Sequence, residues 1–147
     1  MKIEMKRNYI FLLLSEIVCF WVLFLCFPYT IQMQEGEDLF LLTREFLGGV
    51  ISRPQGITFL ISDFLEQFFA TAWAGALIYS LVITLSQWLL FLTLRNLGKT
   101  SFGWLAFFPA LLVVPYSFPF VDMSVNFLFF SLLLYVFTAI KSRIWRT

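Results

Sequence analysis

In this chain of 147 residues, 61% are hydrophobic and 13% charged, against about 45–50% and about 25% in soluble domains. So short a chain cannot hide that much apolar surface in one water-exposed globule, and a disordered chain needs the opposite bias. A net charge of +1 without a long basic run excludes the footprint of a nucleic-acid binder, and the lack of His leaves no zinc or haem ligand set, so no cofactor is expected and lipid is the suitable solvent.

Lys2, Lys6 and Arg7 precede the first apolar run, Tyr9–Pro28, which has about the 20 residues that a bilayer crossing needs. The run is long for a signal peptide, no small-x-small cleavage site follows it, and Leu25 before Cys26 is too bulky for a lipoprotein signal, so a retained signal-anchor helix is predicted. Cys19 and Cys26 fall on one helix face about 10 Å apart, too far for a disulfide, and read as small apolar residues. Glu16 is the exception in this run. A carboxyl in hydrocarbon marks a partner or a function by default, and Glu16 lies about 13 Å along the helix from Arg7.

The connection over about 35–69 carries two stretches of helical period. Over Glu37–Ile51 the apolar residues are Leu39, Leu42, Phe46, Leu47 and Val50, with Asp38, Arg44 and Glu45 between them. Ser52-Arg53-Pro54-Gln55-Gly56 reads as a turn in which Pro fixes φ and Gly supplies a permissive one. A second stripe follows at Ile57, Leu60, Ile61, Phe64, Leu65 and Phe68, with Ser62, Asp63, Glu66 and Gln67 opposite. Both stretches are too polar to span, and two amphipathic helices on the outer membrane surface are predicted. Their acidity follows from topology if bases stay inside. Alternatively Glu35, Glu37 and Asp38 form a site that holds a hard divalent cation, or supplies a general base.

Further spans are predicted at about 70–94, 102–118 and 123–140, the last two forming a tight hairpin. Ala72, Ala76 and Ser80 recur every four residues, a track along which another helix packs closely, with Gly75 widening it. Gln87 lies about 12 Å along the helix from Arg95 and so matches Glu16 in depth; a hydrogen bond between the two is expected, and Gln87→Leu should then destabilise the first two spans against each other. Pro109 and Pro115 predict a kink or broken end in the third span, and Asn126 is expected to cap or crosslink helices. Lys2, Lys6, Arg7, Arg95, Lys99, Lys141, Arg143 and Arg146 flank one side of this arrangement, whereas Glu35, Glu37, Asp38, Glu45, Asp63, Glu66 and Asp122 fall on the other. The positive-inside rule then puts both termini in the cytoplasm. The fold class is an all-α membrane protein with four transmembrane helices and two external interfacial helices between the first and second spans, forming one domain over 1–147.

The segments EDLFLLTREFL, RPQG and FLISDFLEQFFATAWAGALIYSL, between Glu37 and Tyr79, resemble the N-terminal part of an uncharacterised family of large bacterial polytopic inner-membrane proteins. The resemblance covers about the first hundred residues and, loosely, the proline-bearing third span; it brings no activity, and implies that this chain is a short version, a truncation or a single module of longer relatives. In architecture alone, one span followed by acids and two membrane-parallel helices is similar to the start of the glycosyltransferases that use polyprenyl-phosphate sugars (the GT-C fold). That similarity implies a base or metal ligand at Glu35, Glu37 or Asp38, but the fold has more spans than the four read here. Three functions remain open: a structural or interaction subunit of a membrane assembly, with a membrane-protein partner or second copy besides the bilayer; the leading module of such an enzyme; and a small transporter component built on Glu16.

Overall fold

The computed structural model describes residues 2–29, 31, 43–98, 100–108 and 121–144, which contain five α-helices, two 3-10 segments and no strand. Helix α1 spans Lys2–Cys26, α2 Arg44–Ile51 and α3 Gly56–Glu66, which a 3-10 turn at Gln67–Ala70 continues. The long helix α4 spans Ala72–Asn96, a 3-10 helix follows at Thr100–Phe107, and α5 spans Val121–Ile144. Three stretches, Tyr9–Cys26, Ala72–Asn96 and Val121–Lys141, are long and apolar enough to cross a membrane.

Local chemistry sets the helix ends. The hydroxyl of Thr43 accepts the Phe46 N–H at 3.3 Å, capping α2 from an extended residue. The helical stretch expected from Glu37 therefore starts at Arg44 among the described residues, and 37–42 lie outside them. At the other end of α4, Gly98 takes φ +70°, and the N–H groups of Leu97 and Gly98 close onto the carbonyls of Thr93 and Arg95. A glycine in the left-handed region just past the last turn is a common helix stop.

The α2–α3 corner differs from the turn expected. The left-handed residue is Gln55, at φ 67°, not Gly56. Gly56 is required for space: a Cβ there would stand 2.1 Å from the Val50 carbonyl oxygen. The end of α2 thus rests directly on the start of α3.

Helix α4 is the centre of the assembly, packing against α1, α5 and the 3-10 helix, while α3 packs against α5. The core joins Cys19 and Leu23 of α1, Ile31, Phe69, Ala76, Tyr79, Val82 and Ile83, and Val121 and Val125 of α5. Gly75 admits Ile31 and Phe69, since a Cβ there would meet the Ile31 Cγ2 at 2.2 Å. Of the third expected span, 102–107 fall in the 3-10 helix and 109–118 lie outside the described residues, so three long apolar helices are described where four were expected.

Candidate functional site

Polar side chains gather at two levels between the helices. The first lies between α1 and α4. Ser80, Thr84 and Gln87 follow one another at helical spacing along α4, a stripe that continues the track of small residues from Ala76. From α1, the Ser15 hydroxyl donates to Gln87 Oε1 at 2.9 Å. Glu16 Oε1 accepts from the Ser80 hydroxyl at 2.8 Å.

Donors and acceptors do not balance here. The Ser80 hydroxyl has one proton, yet it also lies 2.9 Å from the Leu77 carbonyl oxygen. Glu16 Oε2, Thr84 Oγ1 and Gln87 Nε2 are buried without a hydrogen-bond partner. Glu16 and Gln87 do meet the same interface, but the direct bond expected between them does not form. Each instead reaches a serine on the opposite helix, and the Gln87 N–H groups stay unpaired. Chemically the level ties α1 to α4 and leaves one carboxyl oxygen, one hydroxyl and one amide nitrogen with unused bonding capacity.

The second level joins α3, α4 and the first turns of α5. The Thr58 hydroxyl bonds Asn126 Oδ1 at 2.6 Å and lies 2.8 Å from its own-helix carbonyl at Gln55. The Ser62 hydroxyl bonds Asp122 Oδ1, and the Ser124 hydroxyl bonds the Tyr79 phenol at 3.1 Å. Asn126 thus crosslinks two helices. Thr58, Ser62 and Asp63 are all buried.

This placement turns α3 around. Its polar side faces the protein, and Ile57, Ile61, Phe64 and Phe68 are exposed, Ile57 to 59% and Phe64 to 46%. Sequence periodicity separated the two faces but did not say which one the protein covers. Of the serines and threonines at these levels, the sequence singled out Ser80 as a packing residue and Ser62 as part of a polar face, while Ser15, Thr58, Thr84 and Ser124 carried no signal of their own. A signal for the first level was present in the spacing of Ser80, Thr84 and Gln87 on one side of α4.

Of the other expected residues, Ala76 and Ser80 are fully buried and Ala72 is half-buried. Glu35, Glu37 and Asp38 lie outside the described residues. Among the described residues, no group of three His, Cys, Asp or Glu side chains gathers to hold a metal ion. Cys19 is buried and Cys26 exposed, both as free thiols.

No curated protein and no solved structure matches the chain. A family model does match, over residues 3–147, and it describes a family of unknown function. With nearly the whole length covered, the chain belongs to that family of unknown function, DUF6057.

Proposed function

We propose that the protein is a multi-pass integral membrane protein of a bacterial inner membrane and serves as an interaction subunit of a membrane assembly. One observation carries the reading: the helices expose large apolar side chains while burying polar ones beside their apolar core. Ser80, Ser86, Gln87, Ser124 and Ser131 are buried, while Ile10, Leu13, Val18, Leu81, Leu133 and Phe137 are exposed. In water the exposed apolar faces would be costly. In hydrocarbon they are solvated, and helix association then depends on small residues and interhelical polar bonds.

The burial of Ala76, the close approach at Gly75 and the Ser15–Gln87, Glu16–Ser80 and Tyr79–Ser124 bonds support this reading. These polar groups hold helices together, the work of a scaffold, and α1 keeps a wide apolar face for a neighbouring helix. In this reading α1, residues 102–118, α4 and α5 cross the bilayer, with α2 and α3 on the external side. The basic residues flanking one side support cytoplasmic termini.

Two experiments test the reading. After alkaline carbonate washing the protein should stay with the membrane pellet; release into the supernatant would overturn membrane integration. Purified in mild detergent, it should arrive with a partner or a second copy. Recovery as a lone monomer would end the subunit role.

A further inference from the structure

We propose that α3 is immersed in the hydrocarbon layer, its apolar face solvated by lipid acyl chains and its polar face sealed against α5. This rests on the membrane reading above and alters one part of it, since a helix resting on the membrane surface would turn its polar side to water.

The facing of the side chains argues for immersion. Thr58, Ser62 and Asp63 are buried, and two of them bond Asn126 and Asp122 of α5. The outward stripe consists of Ile57, Ile61, Phe64 and Phe68, with Phe64 and Phe68 in edge-to-face contact. The charged residues of α3 are Asp63 and Glu66, the first buried and the second half-buried, so no fully exposed charge draws the helix toward water. Helices α1, α4 and α5 likewise turn large apolar side chains outward, among them Leu13, Val18, Leu81, Leu85, Leu133 and Phe137. Elements that share an apolar outer face share a solvent.

Helix α2 supplies the contrast, because Thr43, Arg44 and Glu45 are exposed at its start and none of its residues is buried. The chain therefore passes from a surface helix to an immersed one across the tight corner at Gln55 and Gly56. The depth is modest. Helix α3 bonds the second and sixth residues of α5, Asp122 and Asn126, which fall within about 9 Å of that helix's start. This places α3 in the boundary region of one leaflet, where it separates the Thr58–Ser62–Asp122–Asn126 cluster from lipid. A second copy of the chain is a poorer occupant for the outer face, because that stripe offers no polar atom to fix a register.

The test uses single cysteines in a Cys19→Ala, Cys26→Ala background, spin-labelled and reconstituted in vesicles of phosphatidylethanolamine and phosphatidylglycerol. Phe64→Cys probes α3, Leu81→Cys is the lipid-facing control on α4, and Glu45→Cys is the control on α2. Oxygen, which partitions into lipid, should broaden the Phe64 label as it does the Leu81 label. A water-soluble nickel chelate should broaden only the Glu45 label. Nickel broadening at Phe64 with none at Leu81 would overturn the immersion of α3 while leaving the membrane reading intact. Shielding of Phe64 from both reagents would mean a protein occupant and would equally overturn it. Nickel broadening at Leu81 would remove the membrane reading, and the inference with it. Ile61→Cys, one turn earlier on the same face, gives the same readout should Phe64→Cys fail to accumulate.

Discussion

Substituting Leu for Gln87 removes one hydrogen bond and two unpaired N–H groups together, and their balance sets the sign of the effect. Gln87 is fully buried, accepts from Ser15 at 2.9 Å, and has no partner for Nε2. Interhelical polar bonds inside membranes average about 0.6 kcal/mol. A buried polar group without a partner costs about 1–3 kcal/mol. Leu has nearly the volume of Gln, so little packing is lost. The freed Ser15 hydroxyl can turn to a carbonyl of its own helix, as those of Ser86 and Ser131 do. The variant should therefore be more stable than the parent by about 1 kcal/mol, the difference between these terms. Ser15→Ala, which removes the bond and keeps the unpaired amide, should lose about 0.6 kcal/mol. Unfolding followed by circular dichroism in a mild detergent, with added dodecyl sulfate as denaturant, measures both. If Gln87→Leu loses more than about 1 kcal/mol, the amide has a partner, and the account of an unbalanced polar stripe is wrong.

Four further substitutions, one of them a control, test the α2–α3 corner and the second polar level with the same assay. Gln55→Gly should stabilise by about 1 kcal/mol, because a left-handed backbone costs a side-chain-bearing residue about that much. Gly56→Ala should destabilise by about 1–3 kcal/mol through its clash with the Val50 carbonyl. As a control, Gly49→Ala in α2 meets open space and should gain about 0.8 kcal/mol of helix propensity. Ser62→Ala withdraws the hydroxyl from Asp122 and should cost about 1–3 kcal/mol, with faster amide exchange in α3 as a second readout.

The long helices were legible because each holds a long apolar run bounded by charge: Lys6 and Arg7 in the first turns of α1, Arg95 at the end of α4, Lys141 near the end of α5. A run of this kind needs no knowledge of its neighbours to be recognised. The corner at Gln55 and Gly56 was legible as a turn but not in its assignment of roles. Proximity to Val50, the reason for the glycine, is a tertiary contact that local residue types do not encode. The same limit hid the facing of α3. Period says that Ser62 and Phe64 point apart; which of them meets protein depends on Asp122 and Asn126, some 60 residues on. Glu16 and Gln87 each bond a serine of the opposite helix, and spacing along the chain does not distinguish a direct bond from bonds to Ser80 and Ser15.

Several buried hydroxyls turn back on their own helix. Ser86 and Thr93 bond the carbonyls of Val82 and Leu89, and Ser131 and Thr138 bond those of Phe127 and Leu134, each one turn earlier. A hydroxyl used in this way sets no register with a neighbour, so displacing one helix along another at these levels breaks none of these bonds. The bonds that do cross between helices near the start of α5, at Asn126, Asp122 and Ser124, resist such motion. Side-chain bonds in the first turns of α5 therefore fix the register of that helix against α3 and α4.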